Sequence, residues 1–496
     1  MTTYTTSTRR ITGASSLVLL AALCGACGSS AESKDPEESA AHLLEAVQPS
    51  PDIDPRRSLA ITDQAILTRF SLQRVFEQLV STSNVPGLTP RSLFQQWWDT
   101  QNPAPGNFVG PHCDDTNPGG VGSFNGYPYT CRPAPSEGSQ ANCDPFSDSS
   151  SPCAYVPIGL FMRFDLAPVS GANCGEYRIV FAKTSGRVST TDRNLLIFEA
   201  VLPNPHWNMG IRGCEKFVRA WAELSNQSDL EARAAKLEDF YFEGYKEFEP
   251  VVSFSHYGNN ADGWGQVRTN QFMQPNAPRI WSLREFKLTS SCSPSPCRAT
   301  FVPTTTKVNP FGPLFDPSST VPSALAFQAD FVNHVPGLAA ANIADIGMSV
   351  PEGFNSAQSQ ANGTTENDYL VNFGASAYAS TFRSSIQSTL TALGSTLSPE
   401  NVVARAQALS CAGCHHISNG ASLGGGLTWP ASLGFTHVSE RDVDLEVVNG
   451  VTRYKISDAL TSSFLPARKA LTENFLNDVP LPAKPANDPI GGRSTH

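Results

Sequence analysis

The chain has 496 residues, of which 16% are charged, 37 are glycine and 38 are proline. That composition excludes a coiled coil and points to a loop-rich globular protein with two or more domains. Against 45 Asp and Glu there are 35 Lys and Arg, a formal charge of −10, and no basic cluster, so nucleic acid is not an expected partner.

Twelve cysteines are too many for a typical cytosolic protein and point to an oxidising compartment. The N-terminus agrees. Arg9 and Arg10 precede a short apolar run from Ser16 to Ala26, well short of the about 20 residues that span a bilayer. Residues 1–27 therefore read as an export signal. The run Leu23-Cys24-Gly25-Ala26-Cys27-Gly28-Ser29-Ser30 resembles the lipobox of bacterial lipoproteins. Cys27 is the better acylation site because the small residues Gly25 and Ala26 precede it. Cys24 departs from the pattern, standing where a leucine is usual. The resemblance implies a lipid anchor in the cell envelope. Gly28, rather than aspartate, follows the cysteine, which favours the outer membrane. An ordinary cleaved signal is the alternative.

Residues 28–57 read as a disordered tether with little to bury. Residues 58–303 follow as a helix plus a β-rich, disulfide-bonded domain. Ile61, Ile66, Leu67, Phe70, Val75, Phe76 and Leu79 have helical spacing. Pro90 after Thr89 opens a second helix. The Pro- and Gly-rich stretch from Gln101 to Pro157 carries Cys113, Cys131, Cys143 and Cys153, and needs disulfides to hold it. Strand patterns follow from Ile158, Tyr177 and Asn194, then helices between Gly213 and Phe248, then strands at Gly265 and Trp281. Cys292 and Cys297 are spaced for a local bridge.

Residues 304–322 read as an inter-domain linker. Residues 323–496 read as a mainly helical domain, with patches at Ala324–Phe331, Ala339–Ile346 and Tyr378–Leu393. Ser398-Pro399-Glu400 caps a further helix that runs through Val402, Val403, Ala406 and Leu409 into Cys411-Ala412-Gly413-Cys414-His415.

This C-x-x-C-H run has the spacing at which a haem is attached covalently. Positions i, i+3 and i+4 share one helical face, so two thiols and an imidazole reach one ring. Here the chain resembles the c-type cytochromes, over the five motif residues and loosely over 398–419. The resemblance implies haem c as cofactor, with thioethers at Cys411 and Cys414 and His415 as proximal iron ligand. It also implies an α+β chain whose disulfide-bonded β-rich N-terminal part precedes a cytochrome c-like helical C-terminal domain. No methionine follows Met348, so the usual downstream Met ligand is missing. His437, 22 residues past His415 in a Gly- and aromatic-rich loop, is the leading distal candidate. Met348 and His334 are upstream alternatives. His416 should leave the same face as His415 and cannot close the other side of the ring.

The function these readings imply is mono-haem electron transfer with a redox partner in the cell envelope: a carrier rather than an enzyme. The competing reading is a non-haem, disulfide-rich surface lipoprotein with a binding or structural role, in which Cys411 and Cys414 form a fifth bridge. Cysteine parity leaves both open, since the ten cysteines past residue 27 divide either way. A haem peroxidase would need distal acid and base groups that the sequence does not reveal.

Overall fold

Period-two alternation in the long strands sets the architecture, because each strand presents successive side chains to opposite faces. The computed structural model describes residues 50–491, apart from 103–111, 115–120, 133–136, 259–264, 273–278, 294, 376–379, 482–483, 485 and 487. The export signal, Cys27 and the tether as far as residue 49 lie outside the described residues.

Pro49–His496 make one compact unit around an eight-stranded antiparallel sheet. Strands β1 (Ala60–Ile61), β2 (Tyr155–Arg163), β3 (Asn173–Lys183), β4 (Asn194–Pro203), β5 (Gln266–Phe272) and β6 (Trp281–Ser291) are neighbours in that order. Two strands then share the far edge of β6: β7 (Arg298–Thr304) along residues 285–291, and β8 (Gln358–Ala361) along residues 281–284.

One face of the sheet is apolar. Met162, Tyr177, Ile179, Phe181, Phe198 and Phe286 are buried there. Helices α1 (Leu72–Ser83), α2 (Pro90–Asp99) and α3 (Glu215–Ala222) supply the covering rings. Trp97 packs edge-on against Phe198 and Phe286, and Phe217 and Trp221 pack against Tyr177. Local chemistry places these helices: Ser71 accepts from the Arg74 amide, while Thr89 and Ser92 cap α2 reciprocally ahead of Pro90. Four disulfides are present: Cys113–Cys131, Cys143–Cys153, Cys174–Cys214 and Cys292–Cys297. The first two lie in the Pro- and Gly-rich stretch that the sequence expects to be stapled.

The second face carries charge. Register sets Arg178 opposite Glu199 and Arg268 opposite Glu285. This face is covered too, and what covers it corrects the fold expected from sequence. The C-terminal part is not a mainly helical, cytochrome c-like domain. Its strand β8 pairs with β6 inside the same sheet, and it holds two small hairpins, Ser422–Gly424 with Leu427–Thr428 and Leu445–Val448 with Val451–Tyr454. Its longer helices, α4 (Thr381–Ala392), α5 (Pro399–Leu409) and α6 (Leu465–Leu476), are set among these strands. The Ala339–Ile346 patch holds a single tight turn at Ile343–Asp345. β8 escapes a pattern reading because Gln358-Ser359-Gln360-Ala361 has no β-branched or aromatic residue; buried side-chain hydrogen bonds hold it instead.

The segment expected as a linker is fastened to that strand. The Thr306 amide donates to the Ser356 carbonyl at 2.9 Å, and fully buried Asn309 donates its side-chain amide to the Gln358 carbonyl at 2.9 Å.

Candidate haem-attachment site

Helix α5 delivers the C-x-x-C-H run to the charged face of the sheet. Ser398 accepts from the Asn401 amide while Asn401 returns a bond to the Ser398 amide, and Pro399 occupies the first helical turn. The helix stops at Ser410, whose extended backbone starts a new, wide turn over Gly413–Ile417. Three bonds hold that turn. The Ala412 amide donates to Ser359 Oγ on β8 at 2.9 Å, the Gly413 amide to Ser410 Oγ at 3.0 Å, and the Cys414 amide to the Ser410 carbonyl at 2.8 Å. Gly413 is required: a Cβ there would lie 1.7 Å from the Gln407 carbonyl oxygen.

The two motif cysteines are buried and not disulfide-bonded, while every other described cysteine is in a disulfide. Cys411 packs with Phe272, Trp281, Leu283 and Ala361, and burial pushes its thiol pKa far up, so it is protonated at neutral pH. Cys414 Sγ lies 3.3 Å from His437 Nε2.

His415 is fixed twice by one loop residue. Its Nδ1 is 2.8 Å from the Phe435 carbonyl oxygen, and the Phe435 amide donates to the His415 carbonyl at 3.1 Å. A carbonyl only accepts, so the proton sits on Nδ1 and the lone pair on Nε2. Burial lowers the His415 pKa to about 4, which keeps the ring neutral, the ligating form. Trp281 stacks on the ring at 5.3 Å. Gly434 and Phe435 both have left-handed backbones, φ 70° and 73°; for a phenylalanine this costs on the order of 1 kcal/mol, offset by the paired bonds to His415.

The structure brings the distal candidate to the same place. The His437 ring stands 4.6 Å from that of His415, and its Nδ1 lies 2.8 Å from Ser457 Oγ. An iron bound to both imidazoles would set their centres about 6 Å apart, given metal–nitrogen bonds of about 2 Å, so joint ligation requires the rings to part. His416 turns away and stacks on Phe435 at 4.1 Å. Met348 lies in the main apolar core and His334 is bonded to Asp330, and neither lines the cavity beside His415.

That cavity has a volume of about 90 Å³, well below the several hundred Å³ of a pocket that encloses an organic ligand, so a porphyrin would enter only if its walls part. Its sheet wall mixes Phe161, Val180, Leu195, Ile197 and Leu283 with Arg163, Arg178, Arg268 and Glu199. The facing wall holds His415, Thr436, His437, Val438, Phe464 and Arg468. Burial opposes the Arg268 charge, but Glu199 and Glu285 outweigh it and hold the guanidinium firmly protonated. Burial likewise pushes the Glu176 carboxyl up, while Lys307 and Arg178 outweigh it and keep it ionised. Neither cysteine is among the lining residues; Cys411 packs with Trp281 and Leu283.

The donor set fits a c-type haem in its chemistry. Two reduced thiols and one neutral imidazole with an unprotonated Nε2 lie together beside a cavity with apolar and cationic walls. Among the described residues, the one group spaced to hold a bare metal ion is Cys113, Asp114 and Cys131, and its two cysteines are bonded to each other.

Sequence reasoning missed the buried arginines and Trp281. Arg178 and Arg268 fall at strand positions whose alternation reads as a polar, solvated face. The signal available was charge of both signs, Glu176, Arg178, Glu199 and Arg268, recurring at period two on strands flanked by long apolar runs. Comparison with protein-family models, curated proteins and solved structures gives no match.

Proposed function

We propose that this chain carries one covalently bound c-type haem and transfers electrons in the cell envelope, anchored through a lipid on Cys27. Cys411 and Cys414 would hold the haem as thioethers and His415 Nε2 would bind the iron, with His437 as the distal ligand. A bound haem would supply one-electron chemistry. The chain's own residues would fix the proximal imidazole at Nδ1 and keep it neutral, with Trp281 stacked on its ring.

One observation carries this reading. His415 is anchored at Nδ1 by Phe435, and its ring lines a cavity beside the two described cysteines that are not in disulfides. That pattern suits a ligand imidazole whose second nitrogen is held by an outer partner. His437, anchored at Nδ1 by Ser457, repeats it.

The test is expression with export in a host that matures c-type haem. The expected result is a Soret band that stays with the polypeptide through denaturing electrophoresis, lost on Cys411→Ala with Cys414→Ala. Haem-free protein with Cys411 and Cys414 oxidised to each other would reject the proposal in favour of a non-haem surface protein with a fifth disulfide.

A further inference from the structure

A second, larger cavity lies near the point where the chain enters the folded unit. It holds about 360 Å³, and its lining includes Asp54, Arg57, Arg233, Val448, Val451 and Arg453. Segments far apart in the chain are tied together around it. The Asp54 amide donates to Ser225 Oγ at 3.0 Å. The Tyr454 amide donates to the Thr62 carbonyl at 3.0 Å, which fastens the Leu445–Val448 and Val451–Tyr454 hairpin beside β1.

Three guanidinium groups converge there with too few acceptors. Arg233 and Arg453 share one carboxylate: Asp63 Oδ1 lies 3.4 Å from Arg233 Nη2 and 3.0 Å from Arg453 Nε. Arg57 donates only to carbonyls, those of Ser225 and Gln227, at 3.0 and 3.4 Å. Asp54 Oδ1 accepts from the Arg56 amide at 2.9 Å, and Arg56 pairs with Glu446 at 3.5 Å. Arg233 is 1% exposed, and its Nε and Nη1 have no acceptor among the described residues. Burial lowers its pKa, and the Arg57 and Arg453 charges lower it further against Asp63 and Asp54. An anion in the cavity would offset that repulsion. The donors open to a ligand are those of Arg453, whose side chain is 11% exposed and which among the described residues donates through Nε alone, and of half-buried Arg57.

The hairpin that brings Arg453 also has an apolar tip. Val447 and Val448, next to the Asn449-Gly450 turn, are 71% and 41% exposed and point to opposite faces of the ribbon. A single exposed valine is ordinary; two at the end of a ribbon that walls a cationic cavity match a surface that meets an anionic bilayer, with arginines at the phosphates and apolar side chains below them. The chain outside the described residues ends at the same place: residues 28–49 join the body at Ser50, four residues before Asp54. We infer that Arg57 and Arg453 form a headgroup site for the phosphate of an anionic phospholipid, with Val447 and Val448 entering the lipid. This rests on the lipid-anchor part of the reading above. A single acyl anchor holds a protein weakly, and a second contact beside the tether would strengthen it and fix which face of the body meets the membrane.

The experiment removes the anchor and keeps the site. The full chain with Cys27→Ser is sedimented with vesicles of phosphatidylcholine alone and of phosphatidylcholine with phosphatidylglycerol. Binding to the anionic vesicles is expected to be about tenfold or more tighter. Adding Arg57→Gln should weaken it about fivefold, the share of one basic residue at an anionic surface. Adding Val447→Ser with Val448→Ser should weaken binding and leave the preference for anionic lipid in place. Circular dichroism checks that the variants are folded, and the comparison of vesicles on the parent needs no substitution in the site. Equal binding to both vesicles, or an anionic preference that Arg57→Gln and Arg453→Gln both leave unchanged, would overturn the headgroup site. A rise in melting temperature with inorganic phosphate and no preference between vesicles would replace the lipid by a free anion. A wild-type chain that takes up labelled palmitate, with a Cys27→Ser chain that binds both vesicles alike, would defeat the headgroup site alone. A chain that prefers anionic vesicles yet takes up no label would defeat the anchor alone.

Discussion

His415 and Phe435 exchange two hydrogen bonds: ring Nδ1 to carbonyl at 2.8 Å, and amide to carbonyl at 3.1 Å in return. The pair ties the turn that carries the cysteines to the loop that carries His437. Moving that loop therefore moves the candidate distal ligand relative to the proximal one. His437 now touches His415, with Nε2 near the Cys414 sulfur. As a thioether Cys414 would no longer offer His437 a thiol, and His437 Nε2 would be placed to hold an iron instead. His437→Ala is expected to keep the covalent haem but convert a low-spin absorption spectrum to a high-spin one. An unchanged low-spin spectrum would remove His437 from the ligand set.

Gly413 sits between the two cysteines with its α-carbon pressed on the preceding helix. A methyl group there would meet the Gln407 carbonyl oxygen at 1.7 Å, backbone against backbone. No rotamer relieves that contact, so the turn must shift and carry Cys414 and His415 with it. Gly413→Ala is expected to lower thermal stability by about 2 kcal/mol or more and to reduce the fraction of chains stained for covalent haem. Wild-type loading in this variant would show that the turn has slack the packing does not reveal.

Much of this was legible in the sequence where local chemistry decides. Pro90 after Thr89 and Pro399 after Ser398 open helices as read, and the strands beginning near Ile158, Tyr177 and Asn194 are present. The span from Ile61 to Leu79, read as helical in spacing, instead begins in the two-residue strand β1 and breaks before Ser71, which caps a fresh helix. The cap won over the periodicity. One of the helices expected between Gly213 and Phe248, Leu230–Glu238, is capped by Asp229, which accepts from the Glu231 amide at 2.8 Å. The site divides the same way. The motif and His437 were visible because their spacing is itself the signal. Ser359, Trp281 and Arg163 were not, because only sheet pairing between segments far apart in the chain brings them to the motif. Ser359 in particular reaches the Ala412 amide through β8, a strand that polar pairing rather than apolar pattern creates.

Arg405 clamps the loop after the motif to helix α5. It is 2% exposed and donates to the carbonyls of Leu423, Leu338 and Ala340, each at 2.8 Å, and of Gly424 at 3.2 Å. Four carbonyls in place of a carboxylate make the charge hard to replace: lysine has one nitrogen to serve sites spread around a planar fork. Arg405→Lys is expected to destabilise by about 2–3 kcal/mol and Arg405→Ala by about 3–5 kcal/mol, read as shifts in the urea midpoint. If both variants match wild type, the buried fork is not holding the loop.

Glu366 gives the fold a pH dependence of known sign. Burial raises its pKa from 4.5 to about 7, only partly opposed by Gln358, whose amide reaches both carboxyl oxygens at 3.3 and 3.4 Å, and by Arg284. The folded state therefore keeps a proton that the unfolded chain has lost between those two values. Its contribution to stability is fully present below pH 4.5 and falls as pH rises through about 7. The side chain is only partly buried, so solvent screening limits the loss to about 1–2 kcal/mol. Glu366→Gln keeps the shape and an acceptor for Gln358 but cannot ionise. Relative to wild type, it is expected to gain stability between pH 5 and pH 8, with the urea midpoints of the two proteins diverging as pH rises. Midpoints that stay a constant distance apart across that range would mean that Glu366 is ionised in the folded protein throughout, and that Arg284 rather than burial governs it.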